Sequence, residues 1–318
     1  MTTAPAIRKV EIFGQDDEHL VVYPFGQVNR GVYMTEDQVH GIYDTPEKQT
    51  WKSSARVAGS KPKYRKILQR DMEVGFTAIE TKTHTYEENE SYLIQAIGFE
   101  LDKWDEDARY ARMAIHTDQS GVRMLDIVQY EEPDFAPKHD SIKDQLGKPI
   151  LKLRSGQPDW YEEPVIKSCE WTQDGWNEIE VSNPTNREMS QEWVFTAAPS
   201  TASAGIVYTI PDFSWLGKKS RRRPGGSHES RYITSPPITA VQGGLRISLD
   251  RTKLMARDFH NTNILALFQG QSFRWRVPAY TQPQMIPVHA ANVPDTGAMC
   301  QLIQPRLWSR PWGLEHVL

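Results

Sequence analysis

In the stretch Leu245–Asp250, Leu245, Ile247 and Leu249 alternate with Arg246, Ser248 and Asp250. A strand sends successive side chains to opposite faces, so a period of two buries one side of a sheet and wets the other. The flanking residues agree. Gly243-Gly244 supplies free φ just ahead of the run, and Ser235-Pro-Pro237 supplies fixed φ further back, the punctuation of turns. Phe273, Trp275 and Val277 alternate with Arg274 and Arg276 in the same way until Pro278 stops them. Adding Glu178–Met189 and the turn Pro211–Trp215, the region 178–281 reads as short strands between turn signals. That pattern predicts an antiparallel β-sandwich or barrel for the back half of the chain.

The bulk numbers narrow the class. A chain of 318 residues is long enough for two domains and buries roughly three quarters of its unfolded surface without covalent staples. A net charge of −4 argues against a nucleic-acid binder acting through bulk positive charge. Ten Trp and twelve Tyr are too many for a disordered chain. Cys169 and Cys300 have no His or Cys at ligand spacing; pairing is open to them, and two reduced thiols is the favoured reading. No apolar run approaches ~18 residues, and Met1–Lys9 lacks the apolar core of a signal peptide. The expectation is a soluble protein made in a cytoplasm.

The front half alternates too, with one change of period. Val10–Phe13 and Leu20–Tyr23 read as short strands around the acidic turn Gly14–Glu18, and Gly41–Trp51 reads as loop. In Asp71–Ile79, Met72, Val74, Phe76 and Ala78 share one face. Leu93, Ile97 and Leu101 then fall four apart, predicting one short helix of about ten residues with Asn89 as N-cap and an acidic turn Asp102–Asp107 after it. Arg109–His116, the turn Asp118–Gly121 and Val122–Tyr130 form a predicted hairpin, read as long enough to reach beyond its own domain. Its apolar residues Ala111, Met113, Ile115, Val122 and Met124 are the candidate subunit-contact set. Glu131–Pro164 holds five prolines and reads as an extended connector, which places the domain boundary near residue 164. Beyond Thr281, Ile286–Ala290 and Met299–Ile303 are further strands, and Gln304–Glu315 reads as an extended tail lying on a surface. The fold class is therefore mainly β: an α+β front domain (1–164), then an antiparallel sandwich (165–318).

Motifs for chemistry are missing. The cluster Asp102, Asp105, Glu106 and Asp107 fails as a calcium loop, because Trp104 and Asp107 stand where an oxygen ligand and a glycine are needed. No His-Glu-x-x-His, Gly-x-Ser-x-Gly or phosphate-cradling glycine loop occurs, and the pairs Glu87-Glu88 and Glu162-Glu163 are sequence neighbours rather than facing carboxylates. The expectation is no catalytic residue, no metal and no cofactor. The insert Gly217–Ser230 carries Lys218, Lys219, Arg221, Arg222 and Arg223. It is either a partner-contacting patch or, more plainly, a mobile loop kept soluble by its charge. Trp193, Trp215 and Trp275 fall on predicted strands and read as core rather than as sugar-stacking platforms.

Several phrases carry a resemblance. Val181-Ser-Asn-Pro-Thr185, Tyr208-Thr-Ile-Pro-Asp-Phe-Ser-Trp215 and Gln304-Pro-Arg-Leu-Trp-Ser-Arg-Pro-Trp-Gly-Leu-Glu315 are similar to minor tail proteins of long-tailed phages of actinobacteria. Gly41-Ile-Tyr-Asp-Thr-Pro46, Arg70-Asp-Met72, Asp118-Gln-Ser-Gly121 and Gly156–Glu163 resemble the same group. A front domain of strands and helix before a sandwich resembles, within it, the distal tail protein. That resemblance implies a ring-forming first domain with a long hairpin, a galectin-like second domain and a homo-oligomeric ring, usually a hexamer. It further implies tail tube, tape measure and tail-tip hub proteins as partners, a place at the tail tip of the virion, and DNA passing through the lumen without specific binding. The sugar-binding galectin strands are not reproduced, since Thr185 follows Asn183-Pro184, and His316 and Val317 follow Trp312–Glu315. The fold analogy thus carries no lectin activity. The competing readings are a trimeric hub protein, a receptor- or glycan-binding module and, with no motif behind it, a wall-degrading enzyme.

Overall fold

The computed structural model describes residues 6–315 except Gln27 and Ser203. The readings that fall on Met1–Pro5, His316 and Val317 lie outside the described residues. The protein is mainly β, its sheets antiparallel, and it divides into two compact units. The first comprises residues 6–161 together with 308–313, the second residues 162–307 with 314 and 315.

The first unit contains β1 (Ile7–Phe13), β2 (His19–Tyr23), β3 (Val32–His40), β4 (Glu47–Ser54), β5 (Val57–Ile67) and β6 (Arg70–Ile79). After α1 (Tyr86–Ile97) come β7 (Ala111–Thr117), β8 (Gly121–Gln129), the single turn α2 (Ser141–Asp144), β9 (Leu146–Gly147), β10 (Ile150–Ser155) and the start of β11 (Trp160–Trp171). Its sheet runs β2-β1-β7-β8-β10-β6-β3, with β9 beside β6. Met72, Val74, Phe76 and Ala78 are buried on β6, as the alternation requires. Helix α1 starts earlier than its apolar spacing predicts. Thr85 is the N-cap: its hydroxyl accepts from the Glu88 N–H while the Glu88 carboxylate accepts from the Thr85 N–H, a reciprocal capping box. Asn89 is instead buried inside the helix, donating to the Ile79 carbonyl. Gly98 at φ +63° ends the helix before Leu101.

Three further expectations for this half are corrected. Gly41–Trp51 is not all loop: β4 begins at Glu47 and pairs with β5 in a two-stranded sheet of its own. The stretch 131–164 is not a connector, because β10 is laid along β6 from Ile150↔Gly75 to Ser155↔Arg70, with Leu151 and Leu153 fully buried. Nor are residues 308–313 a surface tail; they complete the first unit, Trp308 being buried under the guanidinium of Arg123.

The second unit is a sandwich. Part of β11, β13 (Glu192–Thr196), β18 (Gly244–Ser248), β19 (Ala256–Asp258) and β21 (Ala298–Trp308) form one sheet, ordered β19-β18-β13-β21-β11. The facing sheet is β12 (Gly175–Asn183), β20 (Thr281–Ala291), β14 (Val207–Pro211) and β17 (Tyr232–Thr234), while β15 (Trp215–Leu216) and β16 (Arg223–Pro224) make a small ribbon. Trp193, Phe195, Ile247 and Leu302 from the first sheet pack with Val181, Tyr208, Ile210 and Val288 from the second. Cys169 and Cys300 face each other as buried free thiols with sulfurs 3.3 Å apart.

The predicted strand Phe273–Val277 is a correction of a different kind. Phe273 and Val277 are buried, but no continuous ladder forms there, and Val277 alone bridges Met189. The buried carboxylate of Asp212 takes the place of a partner strand, accepting from the N–H groups of Arg274 (3.1 Å) and Trp275 (2.9 Å) and pairing with Arg231. Alternation reports which side is wet; it does not say who supplies the hydrogen bonds.

Candidate assembly site

The predicted contact hairpin is largely buried within the protomer. β7 and β8 do pair, from Ala111↔Ile127 to Thr117↔Gly121. Yet Ala111, Met113 and Ile115 are buried in the first unit, Met124 is 9% exposed, and only Val122, at 40%, reaches solvent. The backbone is committed as well, since β7 bonds β1 along its other edge and β8 meets β10 and Tyr161. Four of the five apolar side chains thus fill the protomer's own core, which leaves Val122 as the member of the set at the surface.

The projecting hairpin is β4–β5. Its strands, eight and eleven residues long, pair only with each other, and nearly every described side chain on them is exposed, including Trp51 (55%) and Tyr64 (56%). An isolated two-stranded ribbon with no buried face is marginal in water. Both faces are wet, so the period-two signal that revealed the other strands is silent here. The usable clue was charge: residues 47–67 carry seven Lys and Arg against the single carboxylate Glu47.

The basic insert comes to the surface in part. Lys218, Lys219, Arg221 and Arg223 are exposed around a short 3-10 turn, while Arg222 is half-buried. The loop is tied down rather than free: Lys219 sits 4.8 Å from the centre of the Tyr280 ring, and the Arg222 carbonyl accepts from Gln284. Nearby, an open groove of about 510 Å³ is lined by Trp215, Trp275, Arg251, Arg274 and Arg276 with one carboxylate, Glu188. It holds no pair of facing carboxylates for acid–base hydrolysis. Among the described residues no group of His, Cys, Asp and Glu could hold a metal ion, and no helix is long and apolar enough to cross a membrane.

The phrases that carried the resemblance turn out to be structural. Arg70, fully buried, donates to the carbonyls of Pro158 (2.8 Å), Gly41 (2.8 Å) and Ser309 (3.2 Å) and to the Thr45 hydroxyl (3.2 Å). Three separate stretches of sequence therefore meet on one guanidinium. Trp160 Nε1 donates to the Ile42 carbonyl, and Arg310 forks onto Asp44. In the second unit, the Asn183 amide donates to the carbonyls of Arg187, Val277 and Pro278, while its oxygen accepts from Thr185. Buried and fully engaged, Asn183 has nothing left for a sugar. The front sheet has a comparable node at Glu11, whose carboxylate meets Lys9, His19 (2.7 Å) and His116 (2.6 Å). Burial pushes the Glu11 carboxyl up, but hydrogen bonds from Lys9 and His19 and the charges of Lys9 and His116 outweigh it, leaving the group below its ordinary value.

No established protein-family profile matches the chain. It is 20% identical to the minor tail protein Gp27 of Mycobacterium phage D29, over 90% of this chain and 94% of that protein, and equally to Gp27 of Mycobacterium phage L5. This chain is similar along nearly its whole length to two phage minor tail proteins. Its fold is similar to that of the SPP1 Dit (gp 19.1) protein, with a TM-score of 0.53 at 12% identity, over 93% of this chain and 98% of that one.

Proposed function

We propose that this chain is a phage minor tail protein and, among those, a distal tail protein: a non-catalytic subunit that closes with copies of itself into a ring, six in number, between the tail tube and the tail-tip hub. The first unit builds the ring and the second docks neighbouring tip or receptor-binding parts, with tape measure, tube and hub proteins as partners and DNA crossing the lumen unbound. The observation that carries this reading is the β4–β5 arm, a ribbon that stands on its own strands and is exposed on both faces. A ribbon of that kind persists where something else covers it, and both of its outer edges are open to pairing. A similar fold in SPP1 Dit, whose structure is described as a paradigm of a hub adsorption apparatus, supports the same placement.

Native mass spectrometry of the purified protein tests the proposal. A hexamer is expected. A trimer would assign the chain to the hub instead, and a monomer at every concentration would reject self-assembly. Incubation with peptidoglycan, expected to release no soluble fragments, tests the non-catalytic part.

A further inference from the structure

The register of the projecting hairpin sets its charges in a particular way. Residues directly opposite in an antiparallel pair share a face, and Lys48 stands opposite Lys66, Thr50 opposite Tyr64, and Lys52 opposite Lys61. Lys48, Thr50 and Lys52 are two apart on β4 and so lie on one side. The register shifts at Lys63, whose ammonium lies 6.0 Å from the centre of the Tyr64 ring. On either side of that shift the pairs Lys48–Lys66 and Lys52–Lys61 set four ammonium groups on one face, while Trp51, Pro62, Gln49 and Arg65 occupy the other. Like charges placed directly across from each other weaken a hairpin, and here it happens twice on a ribbon already short of stabilisation. Among the described residues, none of these four lysines has an ion pair or hydrogen bond, whereas on the opposite face Arg65 is paired with Glu47. An anionic surface laid against this face would relieve that repulsion.

That surface is present on the same chain. Outside residues 47–67, the first unit has 26 Asp and Glu against 15 Lys and Arg. Its densest exposed part is the loop carrying Glu100, Asp102, Asp105, Glu106 and Asp107, with Trp104 at 95% exposure among them. We infer that the lysine face of β4–β5 docks on the acidic surface of the first unit of a second copy. The contact is head-to-tail, because a basic arm and an acidic receiver are different patches, and head-to-tail contacts are those that close into rings. The inference rests on the ring reading and adds to it the electrostatic nature of the joint. The same lysines and Tyr64 have the chemistry to grip nucleic acid, which is one outcome of the test.

The oligomer is measured by analytical ultracentrifugation in 0.05–1 M NaCl, across which the screening length shortens from over 10 Å to about 3 Å. Apparent association is expected to weaken at least tenfold over that range. The quadruple variant K48E/K52E/K61E/K66E, checked for an unchanged circular dichroism spectrum, is expected to stay monomeric at low salt. Carbodiimide coupling of a mixture of light and isotope-labelled protein is expected to join these lysines to first-unit carboxylates of another copy. The salt series and the coupling need no variant, so a misfolded quadruple mutant leaves the inference exposed to refutation. A wild-type ring indifferent to salt and giving no such cross-links overturns the inference while sparing the ring. A wild-type monomer throughout overturns both. Duplex DNA retained by the wild type and lost by the variant, with the ring intact in each, overturns it in favour of a nucleic-acid contact.

Discussion

Replacing Arg70 by Leu is the most severe single change the first unit should register. The guanidinium is fully buried and donates to three backbone carbonyls and one hydroxyl, from residues 41, 45, 158 and 309. Hydrogen bonds from a charged donor contribute roughly 1.5–3 kcal/mol each, so four of them set a ceiling of about 6–12 kcal/mol. Much of that is not lost. Leucine no longer bears the cost of burying a charge, and water or local relaxation re-satisfies some carbonyls. Breaking a buried charged network by removing one partner typically costs about 3–5 kcal/mol, which is the expected loss here. For a cooperative unit of this size each kcal/mol lowers the midpoint by roughly 2–4 °C, so differential scanning calorimetry should show the first unit melting about 6–20 °C earlier. Ending the chain at Leu307 removes the Ser309 acceptor, so the double change should cost less than the sum of the two. A fall of under about 1 kcal/mol for Arg70→Leu, or strict additivity with the truncation, would refute the idea that one side chain gathers these three stretches.

Two further changes are sharply predicted. Glu11 is held below its ordinary carboxyl value by Lys9, His19 and His116, so its stabilisation is complete above the unfolded value of about 4.5 and is lost as pH falls through the lower folded value. Melting temperature followed downward from pH 5 should therefore drop, and Glu11→Gln should be less stable at neutral pH with a flatter acid limb; an unchanged limb would contradict the assignment. Asp212→Ala leaves Arg231 without its carboxylate and two N–H groups without an acceptor, and urea unfolding should show a loss of about 3–5 kcal/mol in the second unit.

The sequence was most readable where one face is dry. Met72, Val74, Phe76 and Ala78, or Leu245 and Ile247, announce strands because burial selects them at a period of two. It was silent for β4–β5, where neither face is dry and no apolar period exists, and that element is the one the assembly reading needs. It was incomplete at Arg109–Tyr130 for a related reason: alternation says that a face is covered without saying by whom, and most of the cover is the protomer itself. The start of α1 is written in the sequence as Thr85-x-x-Glu88, while the apolar residues four apart begin later and point to a later start. The reach of β21 to Trp308 was hidden by Gln304 and Arg306, polar residues that are buried because they hydrogen-bond the carbonyls of Glu180 and Ser182.

The central claim is that this chain closes a ring with itself at the end of the tail. A symmetry-resolved image of isolated tail tips, with the protein located by a tag inserted at a surface loop of the second unit, measures it directly. The account predicts six equivalent copies around the tail axis, each extending its 47–67 arm onto the next. Three copies, or copies that do not touch one another, would contradict it.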